Sequence, residues 1–200
     1  MKLAALLEGK RLILASASPR RKQLLEGLNI PFECISLKKH KESYPDSLTK
    51  NDVSEFLALS KAKHYLKNNA VSDNDVIITA DTIVWFNNHV LNKPVDEKDA
   101  FNMLSSLSGK THEVYTGVCI TYKNQHKVFS SLSLVEFANL ENDEIQYYID
   151  TYKPYDKAGA YGAQEWIGYV AIKRIEGSFF NVMGLPIRMV YDELKKLIKT

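Results

Sequence analysis

The chain has 200 residues, 45% hydrophobic and 25% charged, with a formal net charge of +2. This is ordinary globular composition, and so even a balance argues against a dedicated nucleic-acid binder. The basic run Lys38-Lys39-His40-Lys41 has no interleaved aromatics and reads as a solvated loop, and no apolar run reaches the length of a membrane span.

The first ten residues carry a Leu-Ala-Ala-Leu-Leu run that is too short for a signal peptide and has no small-residue cleavage site. From Leu12 a short buried strand leads through a turn into a helix over Pro19 to about Glu26, with Ser18 as N-cap, Pro19 at the first helical position and Gly27 to end it. Phe32 to Ile35 reads as a strand, Ser36 to Asn51 as a polar loop. Asp52 to Lys67 reads as a helix with Val53, Phe56, Leu57 and Tyr65 on its apolar stripe. Asp75 to Trp85 is apolar on both alternating faces, the pattern of a buried central strand. Asp96 caps a helix that runs to Leu107 and stops at Ser108-Gly109. Val114 to Tyr122 and Val128 to Phe137 form a hairpin-like pair of strands around Lys123 to His126. Acidic residues Glu141 to Glu144 open a helix through Asp150, as the helix dipole favours. A glycine-rich loop, Asp156 to Gly162, then leads to a strand around Tyr169 to Ile175, and a last helix runs from about Pro186 to Ile198. The reading is a single α/β domain over residues 1–200 with a mixed, largely buried sheet. Cys34 and Cys119 have neither metal nor redox spacing and read as core thiols of a reducing cytoplasm. The five histidines make no zinc pair.

Two features break the pattern. Arg20 and Arg21 stand in the first turn of a helix, where the dipole disfavours cations by roughly 0.3–1 kcal/mol. An anion reverses that sign, because free backbone N–H groups and two guanidinium forks then converge on one phosphate-like ligand. The alternative is that both arginines lie outward in water. Asp81, in the middle of the most apolar strand, needs a donor, a cation or a metal if it is buried. Its alternative is a strand-end aspartate bonded to nearby backbone. Glu42, Lys61, Lys93 and the stretch Asp156 to Gln164 each have a plain reading as loop, snorkelling or turn chemistry. Together they supply cations for phosphates and carboxylates for a divalent metal.

The motifs Leu14-Ala-Ser-Ala-Ser-Pro-Arg-Arg21, Ala80-Asp-Thr-Ile-Val84, Lys93-Pro94, Leu107-Ser-Gly109 with His112-Glu-Val-Tyr-Thr-Gly-Val118, Asp156-Lys-Ala-Gly-Ala-Tyr-Gly162 with Gln164, and Ile175-Glu-Gly-Ser178 with Gly184-Leu-Pro186 occur in one order. In that order they resemble the Maf family of nucleoside triphosphate pyrophosphatases. The resemblance implies an elongated mixed β-sheet flanked by helices, with two lobes and a central cleft, similar to the inosine triphosphate pyrophosphatases. It implies hydrolysis of a nucleoside triphosphate to the monophosphate and pyrophosphate with a divalent metal, magnesium or manganese. Asp81 resembles the proposed proton acceptor and, with Glu42, a metal-holding and catalytic carboxylate. Arg20, Thr82 and Gln164 match substrate-specificity positions, and Ser18, Arg21, Lys61 and Lys93 match substrate-binding ones. Asp81-Thr82 and Tyr161-Gly-Ala-Gln164 resemble the subgroup acting on dTTP and UTP.

Three departures carry expectations of their own. Lys41 replaces a common acid before Glu42 and would weaken metal binding. Asn92 replaces a glycine before Lys93, and Ala163 replaces an isoleucine and opens space beside the amide of Gln164. The resemblance also implies a homodimer. The competing readings are a nucleotide-binding regulator of cell division without turnover, and the same chemistry on a modified purine nucleotide.

Overall fold

The structure is a computed structural model that describes residues 3–37, 40, 42–123 and 125–198. Most of the basic run (Lys38, Lys39 and Lys41) therefore lies outside the described residues, and so does the departure at Lys41.

A short helix α1 (Leu3–Leu6) precedes β1 (Arg11–Ala15) and α2 (Pro19–Glu26). The helix begins where Ser18 and Pro19 predict, and Ser18 accepts a hydrogen bond from the Arg21 amide. It ends before Gly27, which stays right-handed; Asn29 takes the left-handed conformation instead, with φ 51°. The edge strand β2 (Glu33–Ile35) pairs parallel with β1. Its edge position explains why Cys34 is exposed rather than a core thiol, its Sγ donating to the Ser16 carbonyl at 3.3 Å. Then follow α3 (Lys50–Asn68) and the twelve-residue β3 (Asp75–Phe86), parallel to β1 on the other side. On α3, Val53, Leu57 and Tyr65 are buried as the stripe predicts, but Phe56 is exposed.

The hairpin of β3 with β4 (His89–Leu91) has no counterpart in the predicted elements. Its turn residues Asn87 and Asn88 have φ 48° and 64°, the doubly left-handed geometry of a tight hairpin, which asparagine tolerates. Next come α4 (Glu97–Leu107), β5 (Thr111–Tyr122) and β6 (Gln125–Phe137), the strands longer than their apolar runs suggest. Asp96 caps α4 through the Asp99 amide at 2.8 Å, and a Glu141–Glu144 capping box starts α5 (Asn142–Tyr152).

After α5 the sequence expectation fails locally. Trp166–Ala171 forms a helix, α6, and only then does β7 (Ile172–Glu176) begin. The segment is rich in strand-forming residues, yet Ile167 and Ala171, one helical turn apart, are its buried pair. Gly168 explains the outcome, since a Cβ there would lie 1.9 Å from the Ala163 carbonyl oxygen. The short α7 (Phe179–Val182) and the C-terminal α8 (Ile187–Leu197) complete the chain.

The fold is mixed α/β, a seven-stranded sheet ordered β2-β1-β3-β5-β6-β7 with β4 on β3. The chain divides into two compact units. One comprises Met1–Asp81, Thr116–Ser131 and Gly184–Thr200, the other Thr82–Tyr115 and Leu132–Met183. In the first, the helix α3 lies against β5 at Gly117, where a Cβ would meet the Ser54 carbonyl oxygen at 2.2 Å, so only glycine fits. The Thr79 hydroxyl of β3 donates to the Ala58 carbonyl of the same helix at 2.7 Å. In the second, Leu104 and Leu107 of α4 and Ile145, Tyr148 and Ile149 of α5 close over Val135 and Phe137 of β6.

Candidate active site

In the first unit the turn between β1 and α2 is tied by two serines. The Ser16 hydroxyl accepts from the Ser18 amide at 3.1 Å, and the Ser18 hydroxyl from the Arg21 amide at 3.4 Å. Arg21 is half-buried and its Nε donates to the Gly184 carbonyl at 2.8 Å; Arg20 is also half-buried. Arg21 is thus tied to the backbone at Gly184 rather than lying wholly outward. Burial lowers the Arg21 pKa, the nearby charge of Asp81 opposes that fall, and Arg20 adds to it.

Asp81 lies inside β3, not at its end, and is 7% exposed. It is paired with Lys61 of α3, itself 8% exposed, and the same Lys61 Nζ lies 2.7 Å from Glu42 Oε1. One buried ammonium thus holds both carboxylates singled out in the sequence. Their spacing of 19 to 39 residues along the chain gave no local sign of the meeting. Lys61 neither snorkels nor merely flanks the apolar stripe.

Three neighbours escaped the sequence reading. His40 Nε2 is 3.1 Å from the Ser60 hydroxyl, and its ring meets that of His64 edge-on at 5.2 Å. Burial lowers the His40 pKa, and Lys61 and then His64 lower it further. The phenol of Tyr44 is raised by burial first, then by Asp46 and Asp81. The available signal was the spacing of Lys61 and His64, three residues apart on one face of α3.

The second unit holds Thr82, half-buried on β3, and Lys93, exposed after β4. It also holds Gln164 in the loop before α6. The Gln164 Nε2 donates to Glu165 Oε1 at 3.5 Å, while its Oε1 is buried without a hydrogen-bond partner among the described residues. Nothing in the sequence singles out Glu165 or Tyr148, and Lys157 reads only as part of a glycine-rich loop. That loop is built by close approach. Gly159 has φ 66°, and a Cβ on it would sit 3.0 Å from a Val84 methyl; its amide donates to the Asn92 carbonyl at 3.2 Å.

The Lys61 cluster bears on a metal. Two carboxylates that meet one ammonium present oxygens to a common cation position, and hard oxygen donors suit magnesium or manganese. Among the described residues no three His, Cys, Asp or Glu side chains converge as a complete shell. Magnesium is commonly bound by one or two carboxylates with substrate phosphates filling the rest, so the donor set fits an ion that arrives with a triphosphate.

Residues 11–197 match the family model for Maf-like proteins. A dTTP/UTP pyrophosphatase of Phocaeicola vulgatus is 51% identical over 191 residues, 96% of this chain and 98% of that protein. One of Porphyromonas gingivalis is 50% identical over 185 residues, 92% of this chain and 93% of that protein. The solved Ham1 protein of Staphylococcus aureus aligns with 94% of this chain and 100% of its own at a TM-score of 0.46 and 15% identity.

Proposed function

We infer that this chain, which belongs to the Maf family, is a nucleoside triphosphate pyrophosphatase that hydrolyses dTTP and UTP to the monophosphate and pyrophosphate. The observation that carries the chemistry is the buried Lys61 ammonium shared by Asp81 and Glu42. Burying the Lys61–Asp81 pair is expensive, and hydrophobic residues of similar volume often serve stability better. A chemical role explains its presence.

Asp81 accepts the proton of a water whose oxygen attacks the α-phosphorus; the bond from that phosphorus to the bridging oxygen breaks, and pyrophosphate leaves with the electron pair. Lys61 releases Asp81 to that task by turning toward the phosphates. The α2 N-terminus, with Ser18, Arg20 and Arg21, holds the triphosphate by backbone N–H groups and guanidinium forks, and Lys93 adds a further cation. A divalent ion held by Glu42 and Asp81, when bound, offsets charge on the phosphate oxygens. Positioning and electrostatics account for most of the rate, as in phosphoryl transfer generally. Thr82 and Gln164 read the base. Asn92 and Ala163 leave the parts needed for turnover in place. The reading takes the protein to be a cytoplasmic homodimer acting on free nucleotides. Among the described residues no helix is long and apolar enough to cross a membrane.

The test is pyrophosphate release from a panel of nucleoside triphosphates with magnesium, with manganese and with neither. Metal-dependent release from dTTP and UTP, with purine nucleotides poor, is expected. Release of single phosphates would contradict attack at the α-phosphorus. Binding without turnover would favour the regulator, and preference for a purine nucleotide would displace the pyrimidine reading.

A further inference from the structure

The amide of Gln164 is held from one side only. Its Nε2 faces Glu165 Oε1 at 3.5 Å, and its Oε1 is buried with no partner among the described residues. A buried acceptor left unsatisfied is unfavourable, and a ligand donor can satisfy it. Glu165 is itself firmly placed. It precedes α6 as N-cap, yet its side chain makes no capping bond and turns back into the loop. There it accepts from the Tyr148 hydroxyl and lies 3.2 Å from the Nζ of the buried Lys157. The Gly162 amide donates to the same Tyr148 oxygen at 3.0 Å, fixing the phenol in turn. Burial and the adjacent Glu165 raise the Tyr148 pKa, so the phenol stays protonated and donates. Gly162 leaves the room required: a Cβ there would lie 2.8 Å from Glu165 Cδ and 2.9 Å from Gln164 Nε2.

We propose that Glu165 is a positioning residue that sets the polarity of the Gln164 amide and so selects a base edge carrying a ring N–H beside a carbonyl. The inference rests on Gln164 reading the base. A carboxylate cannot donate, so it accepts only the NH₂ end of the amide and repels the carbonyl end. With Nε2 turned to Glu165, the carbonyl oxygen is the end that accepts from a ligand, and the second Nε2 hydrogen remains to donate. Uracil and thymine meet this arrangement with a ring N–H donor beside a carbonyl acceptor. Cytosine reverses both, with a ring nitrogen acceptor beside an amino donor. To bind it the amide must flip, which brings its carbonyl oxygen against Glu165. Guanine shares the N–H and carbonyl pattern of uracil, so this device rejects CTP and leaves rejection of GTP to size.

The experiment compares kcat/KM for UTP, CTP and GTP in the full-length protein and in three variants. Glu165→Gln keeps the shape but can face either end of the Gln164 amide. The UTP:CTP ratio is expected to fall about tenfold, the scale of one net hydrogen bond, while UTP:GTP stays put. A general loosening moves both ratios and overturns the proposal, as does an unchanged UTP:CTP ratio. Gln164→Ala separates the two layers. If it lowers UTP:CTP and Glu165→Gln does not, base reading stands and positioning fails; if Gln164→Ala leaves the ratio intact, the base-reading role fails first. Should Glu165→Gln not fold, Tyr148→Phe, which frees the carboxylate from its phenol, decides in the same direction with about a threefold fall in UTP:CTP.

Discussion

Each unit buries one lysine between two carboxylates, and the two triads differ in a telling way. Lys61 is 8% exposed and joins Glu42 to Asp81; Lys157 is 7% exposed and joins Asp156 to Glu165. Around Lys61 the neighbouring guanidinium is charged, Arg21 with Asp81 and Arg20 acting on it, while burial and Lys61 hold His40 toward its neutral form. Around Lys157 the next contacts are neutral, the Tyr148 phenol and the Gln164 amide on Glu165. On the proposed function the same device serves two ends. Charge on charge can be rearranged by a phosphate or a metal, and suits chemistry. Charge on neutral dipoles fixes which end of an amide points where, and suits recognition.

Removing each lysine breaks the comparison most severely. Lys61→Met leaves Asp81 buried and unpaired, and breaking a buried pair typically costs about 3–5 kcal/mol. Lys157→Met also strips a carboxylate of its cation, but Asp156 is 60% exposed and Glu165 keeps the Tyr148 hydroxyl, so a loss of about 1–3 kcal/mol is expected. Denaturant unfolding of both variants ranks them. Equal losses would mean that the two triads are the same structural element repeated.

Acid should sharpen the contrast through His112. This side chain is 1% exposed in the second unit; its Nε2 is 2.8 Å from the Tyr161 hydroxyl, and its ring sits edge-on to Phe137 and Tyr161. Burial lowers its pKa from 6.5 to about 4. The folded protein therefore binds this proton less readily than the unfolded chain. The contribution to stability is complete above about pH 6.5 and is lost as pH falls toward about 4. Linkage puts it at about 3 kcal/mol. His112→Gln should flatten that part of the stability profile between about pH 6.5 and 4. An unchanged profile would place the titrating group elsewhere.

Much of this was legible where the signal is local. Ser18-Pro19, Asp96 and the acidic start at Glu141 announce helix starts because capping is settled within four residues of chain. Asp81 stood out because a carboxylate amid Ile, Ala and Val on a central strand needs a partner. Which partner was hidden, since Lys61 reaches it only when α3 packs on the sheet through Gly117 and Thr79. The turn at Asn87-Asn88 was local too, but its signal is weaker than Asn-Gly, and β4 is only three residues long. The helix α6 was misread because a glycine that permits close packing in the fold looks like a strand interruption in the sequence. Glu165 was silent for a similar reason: beside Gln164 and ahead of Trp166, an acid reads as a surface residue until the loop folds back on Tyr148.

The central claim is that Asp81 takes the proton from the attacking water. Asp81→Asn keeps the shape of the side chain and leaves Lys61 its pairing with Glu42. In a metal-replete assay, pyrophosphate release from UTP should fall by about 10²–10⁴-fold, the usual range for losing a general base, with UTP binding by titration largely kept. A rate equal to that of the unmodified protein would contradict the assignment of Asp81 and the mechanism built on it.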